Sequence, residues 1–270
     1  MEQSPLAGTG GRRAVNVLKS TYAILVYCFL YLPILVVVVQ SFNAAKYGTS
    51  WKGFTLAWYE KALGSPVLVE AALNSLWVAV LAATLATGLG TLGAICLFRY
   101  RFRGREIMRG LLLALMMIPD IVMGISLLVL FVVLGWALGF WTLLIAHITF
   151  CLPFVVVTVY ARLRDLNPHL VEAALDLGAS EWRALRAVVI PLMAPAIAAG
   201  WLLSFTLSID DVIVSFFSTG PTFEILPLRI YSMVRVGVKP EVNALATLLF
   251  VVPFIFITLS QFFSKEEEGT

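Results

Sequence analysis

The sequence predicts an all-α integral membrane protein of six transmembrane helices with both termini in the cytoplasm. Three observations carry this. Of 270 residues, 60% are hydrophobic and 13% charged, with a mean hydropathy of +0.94; a soluble domain is nearer half apolar and a quarter charged. The apolar residues fall in runs long enough to cross the bilayer, about 20 helical residues each. Lys and Arg are divided unequally between alternate loops.

In chain order, residues 1–19 read as a cytoplasmic tail, 20–264 as the transmembrane domain and 265–270 as a second cytoplasmic tail. The first apolar run, Thr21 to Val39, is longer than the core of a secretory signal, and Asn43-Ala44-Ala45 is a poor cleavage site. It is read as a retained helix. The spans fall near 20–42, 71–98, 109–133, 139–161, 194–217 and 242–263. Segments on the N-terminal side of the membrane hold 13 Lys and Arg, and the opposite side holds 6 (Lys46, Lys52, Lys61, Arg229, Arg235 and Lys239). Positive charge marks the cytoplasmic face.

With the acids included, net charge is +4 inside, +2 outside and −3 within the spans. The last figure comes from Asp120, Asp210 and Asp211, with no Lys or Arg in any span to answer them. Cys28, Cys96 and Cys151 lie inside apolar runs at no metal-like spacing, which suits core residues. No metal site and no nucleic-acid partner are expected. In the second span Ala86, Gly90 and Ala94 recur every four residues, the spacing that lets helix backbones approach. Pro33, Pro119, Pro153 and Pro253 each interrupt a span and predict bends.

The longest polar-studded interval is the cytoplasmic loop 162–193. Asn167-Pro168 is a helix start, Gly178 a left-handed stop, and Ser180 caps a second helix. Leu170, Val171 and Leu177, then Trp182, Leu185 and Val188, predict an apolar ridge that either meets a partner or folds back on the bundle. Glu172-Ala173-Ala174, Gly178 and Val188-x-Ile190-Pro191 resemble the cytoplasmic signature of ABC importer permease subunits, with Val and Ile replacing the usual Ile and Leu. That resemblance implies a type I ABC importer permease fold. It also implies that Glu172, Ala173, Ala174, Gly178, Trp182 and Pro191 form a coupling helix docked on an ATPase subunit.

Over most of the chain, stretches such as Tyr100-Arg101-Phe102-Arg103-Gly104, Pro119-Asp120-Ile121-Val122, Ser208-Ile209-Asp210-Asp211 and Leu226-Pro227-Leu228-Arg229-Ile230-Tyr231 are similar to permeases of spermidine/putrescine importers. The resemblance implies a second permease subunit completing a heterodimer, two ATPase subunits and a periplasmic polyamine-binding protein. ATP and Mg would sit on the ATPases, and this chain is expected to hold no cofactor and to be no enzyme. Consistently, it contains no G-x-x-x-x-G-K-[ST] phosphate loop.

Ionisable residues inside a membrane default to functional candidates. Gly200, Ser204, Ser208, Asp211 and Ser215 make one small, polar helical face, suited to a water-filled path or to a close helix contact. On that helix Asp211 is expected to face the path and Asp210 to flank it or to lock the helix in place. His147 reads as a hydrogen-bonded bundle residue. A path of net −3 suits a polycation with methylene spacers, such as a polyamine, met by carboxylates and by aromatic and Met walls. The outer segment 218–241, with Glu224, Arg229 and Arg235, is expected either to dock the binding protein or to lie on the bundle rim. The rival classes are a self-sufficient secondary transporter, a membrane anchor, and a permease for putrescine alone or another cation. A secondary transporter predicts inverted repeats, and none is evident.

Overall fold

The computed structural model describes residues 9–46, 50–167, 169–237 and 239–251. In order the helices are α1 (Thr9–Ser41), α2 (Ala57–Leu63), α3 (Pro66–Arg99), α4 (Arg105–Met117), α5 (Asp120–Val133) and α6 (Phe140–Asp165). They are followed by α7 (His169–Asp176), α8 (Glu181–Ala184), α9 (Ile190–Ile209), α10 (Ile213–Ser218), α11 (Leu226–Val236) and α12 (Pro240–Val251). No strand occurs among the described residues. Among the described residues, four helical stretches are long and apolar enough to cross a membrane, or five if the bent pair α4 and α5 counts as one. α12 covers the first part of the sixth expected span, 242–263, and the rest of that expectation lies outside the described residues.

The chain forms two compact units, Met1–Ser65 with Met233–Thr270, and Pro66–Ser232. In the first, α1 begins at Thr9, well before the expected residue 20. It stays helical through Pro33, and Tyr22, Leu25 and Phe29 are exposed along it. Its C-terminal end is tied by Asn43, whose amide donates to Gln40 and to the Ser50 carbonyl and whose oxygen accepts from Ala45 and Lys52 N–H. Lys61 of α2 pairs with Glu241 of α12.

The second unit is built on α3, α6 and α9. The small stripe expected in the second span is buried: Ala83, Ala86, Gly90 and Ala94 face the interior of α3. Val155 of α6 fills the space this leaves. A Cβ on Gly90 would lie 2.7 Å from Val155, and Gly200 of α9 approaches the same side chain. One β-branched residue thus seats two helix backbones; a Cβ would clash with it at Gly90, whereas at Gly200 it would make ordinary contact at 3.4 Å. Towards the C-terminal ends of α3 and α6, Leu97, Val159, Leu163 and Met193 continue this core.

Two of the expected spans are not continuous. The third is broken at Ile118-Pro119, where the chain turns by 112° between α4 and α5. Ile118 is extended at ψ 130°, the conformation a following proline imposes. The fifth is broken at Asp210–Val212, between α9 and α10.

Candidate functional site

The break in the fifth span is made by side chains. Asp211 accepts from the backbone N–H groups of Val214 (3.3 Å) and Ser215 (2.7 Å) and from the Ser215 hydroxyl (2.8 Å). It thereby caps α10 instead of continuing α9, since a short acidic side chain competes for amides a helix would otherwise use. The Ser215 proton goes to Asp211, so its oxygen accepts from His147 Nε2 at 2.9 Å. His147 Nδ1 shares a hydrogen bond with the Ser208 hydroxyl at 2.6 Å. His147 Nε2 lies 3.5 Å from Asp211 Oδ2. The chain of contacts runs Ser208, His147, Ser215, Asp211. His147 is fully buried at 0% exposure and Asp211 nearly so at 9%. One turn away, Cys151 bonds the Ser204 carbonyl at 3.4 Å, and the Ser204 hydroxyl is buried without a partner among the described residues.

These positions reverse the sequence expectation for the acidic pair. That expectation assumed a helix running through 194–217, with Asp211 outward on the polar face and Asp210 beside it. The helix stops at Ile209, so Asp210 becomes the exposed C-terminal cap and Asp211 turns inward. The polar stripe of Ser204, Ser208, Asp211 and Ser215 is real but forms a close contact with α6. His147 and Cys151, one turn apart on α6, are the counterpart that the sequence held but did not join to the stripe.

Asp120 is not at the middle of a continuous span. It is the first residue of α5 and is exposed, where a carboxylate is favoured by the helix dipole. The two breaks belong to packed helices: α5 meets α10 through Gly124, where a Cβ would fall 2.7 Å from the Phe217 ring. Met123, Leu127 and Val214 are buried in the same cluster.

The interval 162–193 forms two helical arms around Gly178. The Asn167 side chain accepts from His169 N–H at 3.0 Å to start α7, and His169 pairs with Glu172 at 2.9 Å. α7 ends in a Schellman motif: Ala179 N–H donates to the Ala174 carbonyl and Gly178 N–H to that of Leu175, with Gly178 at φ +81°. Ser180 caps α8 through Arg183 N–H at 3.3 Å. The second arm is not a separate helix. Glu181–Ile209 runs on into the fifth span through a π turn at Leu185–Val189. Pro191 has no N–H to offer the carbonyl four residues back, and the helix widens just before it.

The apolar ridge is divided. Val171 and Leu185 fold against the ends of α3 and α6 with Ile95 and Leu166. Leu177 and Trp182 stand out, 90% and 67% exposed. Arg99 of α3 steadies the arm through Glu181 at 3.0 Å. Ala173 is exposed, and Pro191 lies on the outer side of the second arm.

At the segment 218–241, Asn74 donates to the Glu224 carbonyl and Ser75 accepts from Leu226 N–H, at 3.0 and 2.8 Å. Ile225 is buried with Val78 and Leu143. The start of this segment therefore lies on the bundle rim. Glu224 and Arg229 pair at 3.3 Å and are half-exposed; Arg235 is exposed near the end of α11.

Comparison with known proteins accords with this architecture. Residues 86–264 match the family model described as binding-protein-dependent transport system inner membrane component. The chain is 55% identical over 252 residues to the spermidine/putrescine transport system permease protein PotC of Escherichia coli (strain K12), covering 93% of this chain and 96% of that one. It is 43% identical to the putrescine transport system permease protein PotI of the same organism, over 83% and 82% of the two chains. A chain from the crystal structure of a bacterial ABC transporter that imports the acidic polysaccharide alginate shares the fold, with a TM-score of 0.75 at 19% identity over 95% of this chain and 98% of that one. The chain belongs to the family of binding-protein-dependent transport system inner membrane components.

Proposed function

We propose that this chain is one permease subunit of an ATP-driven importer of polyamines, spermidine or putrescine. The observation that carries it is the 55% identity to a spermidine/putrescine permease over nearly the full length of both chains. The exposed acids at two helix breaks support the same cargo. Asp210 and Asp120 meet the ammonium groups of the substrate, while Asp211, with Ser208 and Ser204 behind it, holds the break that presents Asp210. A linear polycation needs separated carboxylates with apolar wall between them, and charge-assisted hydrogen bonds are the strong ones.

In this reading both termini are cytoplasmic and a similar second subunit completes the path. The arms around Gly178 dock on an ATPase subunit, with Glu172, Ala173, Ala174, Trp182 and Pro191 at or behind the contact. Leu177 and Trp182 are the anchors, since large exposed apolar side chains on a rigid support are what a groove takes up. Two ATPase subunits bind ATP and Mg, and a periplasmic binding protein delivers substrate near Glu224, Arg229 and Arg235. Uptake in proteoliposomes tests the proposal. The assembled complex is expected to import radiolabelled spermidine only with ATP, the ATPases and the binding protein. Transport of spermidine by this chain alone would refute it.

A further inference from the structure

The turn joining α3 to α4 carries charge that the protein does not use internally. Between residues 99 and 109 five arginines face one acid, Glu106. Three of them are engaged. Arg99 pairs with Glu181 at 3.0 Å, and Arg105 Nε donates to the Leu97 carbonyl at 2.8 Å. Arg109 pairs with Glu106 at 2.8 Å, bonds the Tyr160 hydroxyl and has its guanidinium carbon 5.1 Å from the centre of that ring. Arg101 and Arg103 are exposed, and no carboxylate pairs with either among the described residues. They alternate with the exposed aromatics Tyr100 and Phe102, and Gly104 at φ +94° then reverses the chain into α4.

Arg109 also lies at an open cleft of about 200 Å³ between α4 and α6, walled by Leu97, Leu112, Leu113, Val156 and Val157. No residue of α4 is buried, and Ile107 and Leu111 are 70% and 60% exposed. An apolar helix with no buried residue beside a basic, aromatic turn matches the composition of a membrane interface.

We propose that this turn is a binding site for an anionic phospholipid. Arg101 and Arg103 hold the headgroup phosphate, and an acyl chain lies in the cleft below Arg109. Guanidinium groups match phosphate oxygens in a two-pronged contact. The cleft favours a lipid tail over a peptide: its walls are aliphatic, Arg109 and Tyr160 bond each other, and the unpartnered Arg109 Nε is itself buried, so a backbone placed there would leave most of its N–H and C=O groups unpaired.

The test reconstitutes the protein in nanodiscs of equal phosphatidylglycerol and phosphatidylethanolamine, extracts it in mild detergent and measures retained lipid by mass spectrometry. Wild type is expected to retain phosphatidylglycerol severalfold above the bulk ratio. R101Q/R103Q should weaken that retention by roughly tenfold or more. K52Q/K239Q, which removes the same charge from the expected outer side, should leave it unchanged. V157W, which fills the cleft and spares both arginines, should also release the lipid. Wild-type retention at the bulk ratio would overturn the proposal, whatever the variants do. So would an R101Q/R103Q protein that keeps its phosphatidylglycerol but loses its ATPase subunits, which would assign the turn to a protein contact.

Discussion

Two spans of this protein are broken near an aspartate, and they are broken by different means. At Ile118-Pro119 the proline does the work: it lacks an N–H, forces its predecessor to extend, and leaves Asp120 exposed at the head of a new helix. At Asp210–Val212 there is no proline. Asp211 is drawn inward by Ser215, with His147 and Ser208 behind it, and its neighbour Asp210 is left outside. The first break is steric and local. The second depends on a side-chain network reaching across to α6. An intramembrane carboxylate can therefore be a structural fastener or an available ligand, and residue type alone does not separate the two.

The sharpest way to break this contrast is D211L. It strands two backbone N–H groups and the Ser215 hydroxyl in a buried site, at an expected cost of roughly 3–5 kcal/mol. Thermal unfolding in detergent should show a large loss of stability and little assembled protein. G124V tests the contact that joins the two breaks. Its Cβ would meet the Phe217 ring at 2.7 Å, with an expected cost of about 1–3 kcal/mol. Combining it with F217A should be less damaging than the sum of the two changes. G178V, at φ +81°, should cost about 1–2 kcal/mol; the readout is a lower ratio of transport to ATP hydrolysis. W182A should lie within about 0.5 kcal/mol of wild type in stability and yet weaken ATPase-subunit binding, measured by copurification.

Much of the helical order was legible because its signals are local. Asn167, Gly178 and Ser180 were assigned as caps from their chemistry, and each acts as one. Ala86, Gly90 and Ala94 were legible as a packing stripe, since small residues at four-residue spacing have few other uses in a span. What escaped was non-local. The bonds that break the helix within 194–217 are local, from Asp211 to Val214 and Ser215, but the group that holds Ser208 and Ser215 in the interior is His147, more than 60 residues earlier. Proline at 119 promised a bend, but a missing N–H does not set its depth, 112°. The apolar ridge of the cytoplasmic arms was visible as a period, while its division into a covered half at Val171 and Leu185 and a bare half at Leu177 and Trp182 depends on the ends of α3 and α6.

The central claim is that adjacent aspartates do different jobs, Asp211 fastening the break and Asp210 meeting the cation. Pairing D210N with D211N, each measured for thermal stability and for ATP-driven spermidine uptake in proteoliposomes, tests it most directly. The account predicts that D210N assembles with wild-type stability and loses uptake by roughly tenfold or more, the value of one charge-assisted contact. It predicts that D211N loses stability first, and uptake only in proportion to the protein that remains folded. A D210N complex that transports normally, beside a D211N complex that is fully stable but inactive, would contradict it.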